Sequence, residues 1–148
     1  MKRLFLLLLI LMFLTLGCSR TINCGDNIEC FKNSAQECSK AKFLFKNDGN
    51  DVLVTLRGVS NEKCGVSFKI MEISQEIKDK YSAESAGLKG RTLNCLVPIK
   101  YKEGNNWLEL INVSEKLDEY CSGQIKELAK GPLKEVLKNE FNKLLEKQ

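Results

Sequence analysis

Seven cysteines and no histidine in 148 residues set the tightest limits on this chain. Disulfides consume cysteines in pairs, so an odd count leaves one thiol for another use. Position in the sequence divides the set. Cys18 closes an apolar run, while Cys24, Cys30, Cys38, Cys64, Cys95 and Cys121 are spread over the rest. The missing histidine excludes a Ser-His-Asp triad, a Cys–His nucleophile pair and a His-ligated zinc or haem. The length fits one domain plus a targeting segment. A formal charge of +4, from 23 basic and 19 acidic side chains, announces no nucleic-acid footprint.

Lys2 and Arg3 precede Leu4–Gly17, an uncharged run of 14 residues. A membrane-spanning helix needs about 20 apolar residues, whereas a secretory signal core needs roughly 7–15. The run has no polar face, so it does not read as a buried amphipathic helix. It ends in Leu14-Thr15-Leu16-Gly17-Cys18. This sequence resembles the lipobox of prokaryotic lipoproteins. The resemblance implies a diacylglycerol thioether on Cys18 and cleavage before it, with residues 1–17 removed as the signal peptide. Gly17 supplies the small residue that cleavage requires, and two or three acyl chains anchor a protein where one chain binds only marginally. The expected location is the extracytoplasmic side of a cell-envelope membrane. The alternative is an ordinary signal peptide and a soluble secreted protein with Cys18 unlipidated.

Removal of residues 1–17 leaves 131 residues with 21 basic and 19 acidic side chains. Six cysteines in an exported domain read as three disulfides. Zinc sites favour Cys-x2-4-Cys pairs, but here five, seven, 25, 30 and 25 residues separate successive cysteines. No Cys-x-x-Cys redox motif occurs. Fifteen connectivities are open. The favoured one is sequential: Cys24 and Cys30 around a helix start, Cys38 tied to Cys64, and Cys95 tied to Cys121. The run Cys24-Gly25, Cys30-Phe31, Cys38 also resembles small exported prokaryotic proteins, a likeness that implies no activity.

The expected fold class is α+β: an N-terminal helix, a small antiparallel sheet of about four strands, and C-terminal helices, stapled by disulfides. Residues 18–25 read as a lipidated polar tether and 26–148 as one domain. Asp26 and Glu29 suggest a capping box opening a helix over residues 27–40, with Phe31, Ala35 and Cys38 on one face. Residues 42–46 and 52–57 flank an Asp48-Gly49 hairpin turn. Gly58 and Asn61 mark a second turn. Cys64, Val66, Phe68 and Ile70 alternate with outward residues as a half-buried strand. Ser74 caps a helical crossover that ends at Gly87 and Gly90. Leu93, Cys95, Val97 and Ile99 form the last strand, with Pro98 at an edge or end.

From Asn106 the spacing turns helical, with Trp107, Leu110, Ile111, Leu117 and Cys121 on one face; a hairpin at residues 103–105 competes with this reading. A short helix is expected over residues 124–130. Leu133, Val136, Leu137, Phe141, Leu144 and Leu145 form an apolar stripe that packs intramolecularly or meets a partner or membrane surface. Asn112-Val113-Ser114 matches a glycosylation triplet, though Ser114 serves equally as a helix cap.

The chain carries no cofactor-binding motif, no phosphate loop and no metal-ligand set. Two functional classes remain. The first is a non-enzymatic, lipid-anchored binding or structural module, with a protein or other envelope component as partner. The second is a small hydrolase using paired carboxylates, for which Glu72, Glu76 and Asp79 are the candidate acids. Lys78 and Lys80 interleave with them, as on a solvated salt-bridged face.

Overall fold

The computed structural model describes residues 20–81, 87–99, 119–128 and 139. These residues form an α+β fold around one six-stranded sheet with strand order β1-β2-β3-β4-β5-β6. The strands are β1 (Ile22–Gly25), β2 (Ala41–Asn47), β3 (Asn50–Ser60), β4 (Lys63–Glu72), β5 (Thr92–Pro98) and β6 (Cys121–Ser122). Helix α1 (Ile28–Glu37) connects β1 to β2, α2 (Gln75–Lys80) follows β4, and α3 (Gln124–Leu128) follows β6.

Four of these strands, β2 to β5, are the antiparallel sheet expected from the alternating pattern. Two departures enlarge it. Residues 22–25, expected within a polar tether, are a strand that pairs in parallel with β2, making the sheet mixed. Cys121, expected on a helical face, lies in β6 opposite Cys95. Gly123 explains the second departure. Its φ is +119°, and a Cβ there would lie 2.5 Å from the Thr92 carbonyl oxygen. The chain turns tightly against β5 at a point only glycine fits. The short helix expected from 124 onward begins immediately after, as α3.

Helix α1 starts one residue later than the capping-box reading placed it. Asn27 is the cap, and its side-chain oxygen accepts from the Cys30 N–H at 3.0 Å. The helix ends at Cys38, in the left-handed region at φ +52°. The Cys38 N–H donates to the Ala35 carbonyl (3.0 Å) and the Ser39 N–H to the Ser34 carbonyl (2.8 Å), a Schellman arrangement in which cysteine replaces the usual glycine.

The β2–β3 turn has Asp48 and Gly49 both at positive φ, +47° and +80°, the primed geometry that suits strand twist. The next turn is formed by Asn61 and Glu62, at φ +49° and +59°. Gly58, expected in that turn, lies inside β3 at a bulge where the register with β4 shifts.

Period-2 alternation places one face of the sheet in the core. Phe43, Val54, Phe68 and Leu93 stand in one cross-strand row, and Ala41, Leu56, Val66, Cys95 and Cys121 in the next; all are buried. Phe31 of α1 stacks on Phe43 with ring centroids 4.9 Å apart. Ile73, Leu88 and Ile125 complete the cluster. Burying a side chain as large as Phe68 contributes about 1.5–3 kcal/mol. The other face carries Lys42, Thr55, Ser67, Asn94 and Ser122 in register, and the Ser67 hydroxyl donates to the Asn94 amide oxygen at 2.8 Å.

Three disulfides join Cys24 to Cys30, Cys38 to Cys64, and Cys95 to Cys121. The first closes the β1–α1 turn, the second fastens the end of α1 to β4, and the third fastens β6 to β5. Loop-closure entropy assigns about 2 kcal/mol to the short loop and about 3.5 kcal/mol to each long one. Cys18, the 103–105 hairpin, the helical pattern from Asn106, Asn112 and the C-terminal stripe lie outside the described residues.

Candidate functional site

The two ends of the sheet hold the described side chains with chemical potential. At the first end are the β2–β3 turn, the last residue of β4, α2 and the start of β5. Glu72, Glu76 and Asp79 are here, where the sequence placed them, the first at the end of β4 and the others on α2. Glu72 ends β4 with its side chain 44% exposed. Lys89 Nζ donates to one carboxylate oxygen at 2.6 Å and Lys78 Nζ to the other at 3.2 Å. The hydrogen bonds from Lys89 and then Lys78 hold its pKa down to about 2. A general acid at neutral pH needs the opposite shift. Asp79 accepts from the Gln75 side-chain amide at 2.8 Å in an exposed i, i+4 pair. Glu76 is exposed in the first turn of α2.

This arrangement is ion pairing on a solvated surface between the end of β4, the helix and the segment before β5. Ser74 explains the position of α2: its hydroxyl accepts from the Ile77 N–H at 3.4 Å, and its own N–H donates to the buried Asn50 side chain at 2.8 Å. In the described residues the helix is shorter than expected, with Tyr81 as its C-terminal cap. Lys46, Lys78, Lys80, Lys89 and Arg91 share this end with Asp48, Asp51, Glu72, Glu76 and Asp79.

No family model, curated protein or solved structure matches the chain.

The second end is where β1 and β2 begin, β3 turns into β4 and β5 finishes. The pairs Ile22 with Ala41, Ser60 with Lys63 and Lys63 with Pro98 define it. Arg20, Lys40, Arg57 and Lys63 are exposed here, against the carboxylates of Glu37 and Glu62. Two glycines provide a floor for the long cationic stems. Lys40 Cγ lies 3.3 Å from where a Gly58 Cβ would be, and Arg57 Cβ lies 3.2 Å from the Gly65 position. Among the described residues the exposed large apolar side chains are Ile22 (45%), Val59 (54%), Leu96 (47%) and Met71 (38%). All but Met71 are at or next to this end. Sequence reading did not single out these cations, because they come from separate elements and no local spacing joins them.

Among the described residues no helix is long and apolar enough to cross a membrane, and no cluster of three His, Cys, Asp or Glu is placed to hold a metal ion. Cys18, the candidate lipid site, lies outside the described residues, three positions before Thr21.

Proposed function

We propose that this protein is a lipid-anchored, extracytoplasmic envelope protein acting as a non-enzymatic binding or structural module. The observation that carries this reading is the use of the cysteines. All six that follow Cys18 are joined in pairs. Cys18, at the end of an uncharged leucine-rich run, is the remaining thiol. Stable disulfides belong to oxidising compartments, which agrees with an export signal. The pairing of Glu72 with Lys78 and Lys89 favours this reading over a carboxylate-dependent hydrolase.

Acyl labelling with tagged palmitate tests the proposal. The unaltered chain takes up label and fractionates with membranes, and Cys18→Ser abolishes both. An unaltered chain that takes up no label and remains soluble would support secretion without a lipid anchor and would overturn this reading.

A further inference from the structure

The distance from Cys18 to the fold is short. Residues 19–21 separate Cys18 from Ile22, the first residue of β1. Four Cα steps span at most about 14 Å. A lipid on Cys18 therefore holds the start of β1 within that distance of the membrane, and the sheet end containing it is the part of the fold nearest the anchor along the chain. This same end carries Arg20, Lys40, Arg57 and Lys63 and the exposed side chains of Ile22, Val59 and Leu96. These cations and exposed apolar side chains thus lie on the side of the fold to which the tether is attached.

We propose that the end of the sheet at which β1 begins rests on an anionic lipid surface, with its four cations among the headgroups and Ile22, Val59 and Leu96 at the interface. The inference rests on the lipid-anchor reading of Cys18. Its physical basis is electrostatic attraction, which decays over about 8–10 Å at physiological salt, and apolar contact at the headgroup boundary. Either interaction alone is weak for so small a patch. The tether keeps the patch at high effective concentration over the bilayer. The glycine floor holds the Lys40 and Arg57 stems against the backbone, so their charges project from a firm surface. Glu62, in the β3–β4 turn, and Glu37, at the end of α1, oppose the attraction of these four cations.

The test uses the acylated full-length mature chain, purified and placed in detergent micelles, in phosphatidylcholine vesicles, and in vesicles that also contain phosphatidylglycerol. A membrane-impermeant amine reagent labels the lysines, and mass spectrometry reads each site. On anionic vesicles the labelling of Lys40 and Lys63 relative to Lys46 and Lys80 falls several-fold from its value in micelles. Neutral vesicles or added salt reverse part of that protection. The double variant Arg57→Glu with Lys63→Glu, at an unchanged melting temperature, loses the protection of Lys40. An acylated chain whose Lys40 and Lys63 are labelled equally in micelles and on anionic vesicles overturns the docking while leaving the anchor in place. Protection already complete in micelles marks contact between copies of the chain and also overturns it. Absence of an acyl mass on Cys18 removes the anchor reading, and this inference with it.

Discussion

The two ends of the sheet are built from the same four antiparallel strands yet differ in how they treat charge. At the α2 end, Lys78 and Lys89 close on Glu72. At the β1 end, Arg20, Lys40, Arg57 and Lys63 are exposed near Glu37 and Glu62, and three large apolar side chains remain in solvent. Paired charges on a solvated surface contribute little to stability, commonly 0–1 kcal/mol. Their effect at the α2 end is to neutralise the Glu72 carboxylate. The lesson is that the fold itself required neither arrangement: the shared core between the ends would exist with either.

Four variants can break or sharpen that contrast. Phe68 lies mid-sheet, 2% exposed, between Val54 and Leu93. Phe68→Ala should cost about 3–5 kcal/mol and weaken both ends together, as measured by chemical denaturation. If hydrogen exchange accelerates at one end only, the two ends do not share a core.

The double variant Cys38→Ala with Cys64→Ala removes the link between α1 and β4 at the β1 end. The expected cost is about 3.5 kcal/mol from loop entropy. Amide exchange should rise first around Ser39–Ala41 and Lys63–Gly65, with α2 little changed. Uniform acceleration over the whole sheet would show that the cross-link stabilises the molecule globally.

Gly49 at φ +80° would place a Cβ 3.3 Å from Ser74 Cβ, so Gly49→Ala strains the turn at the α2 end alone. A loss of about 1 kcal/mol follows from the left-handed backbone, visible as a lower melting temperature with unchanged labelling of Lys40. The smallest effect belongs to Glu72→Gln. Because the folded pKa of Glu72 lies near 2, its ionised form favours folding above the ordinary carboxylate value of about 4.3, and that contribution is lost as pH falls toward 2. The variant should therefore melt slightly below the parent at pH 7 and converge with it at pH 2. A difference that grows on acidification would contradict the ion-pair account.

Much of this architecture is visible in local patterns. The alternation of Cys64, Val66, Phe68 and Ile70 identifies β4, because a strand with one buried face must alternate. Asp48-Gly49 identifies the first hairpin because few residue pairs accept positive φ at both positions. Strand β1 gave no such signal: four residues cannot establish a period, and its pairing with β2 is parallel and joined through α1. Cys121 misled for a related reason. Its spacing from Leu117 suits a helix, but the Cys95–Cys121 bond and the tight passage of Gly123 over Thr92 place it in a strand. Glu72 was legible as a carboxylate near a strand end. Its pairing with Lys89, 17 positions away, was not.

By itself the sequence showed an uncharged apolar run closed by Cys18, an even set of later cysteines, and a helix followed by alternating strands. These features depend on composition and on neighbours a few residues apart. Only the tertiary structure decided that β1 joins the sheet four residues after Cys18, and that Arg20, Lys40, Arg57 and Lys63 share that same end. Residues from separate stretches of the chain come to one end through strand register, which depends on backbone pairing across the whole sheet and leaves no local periodicity in the chain.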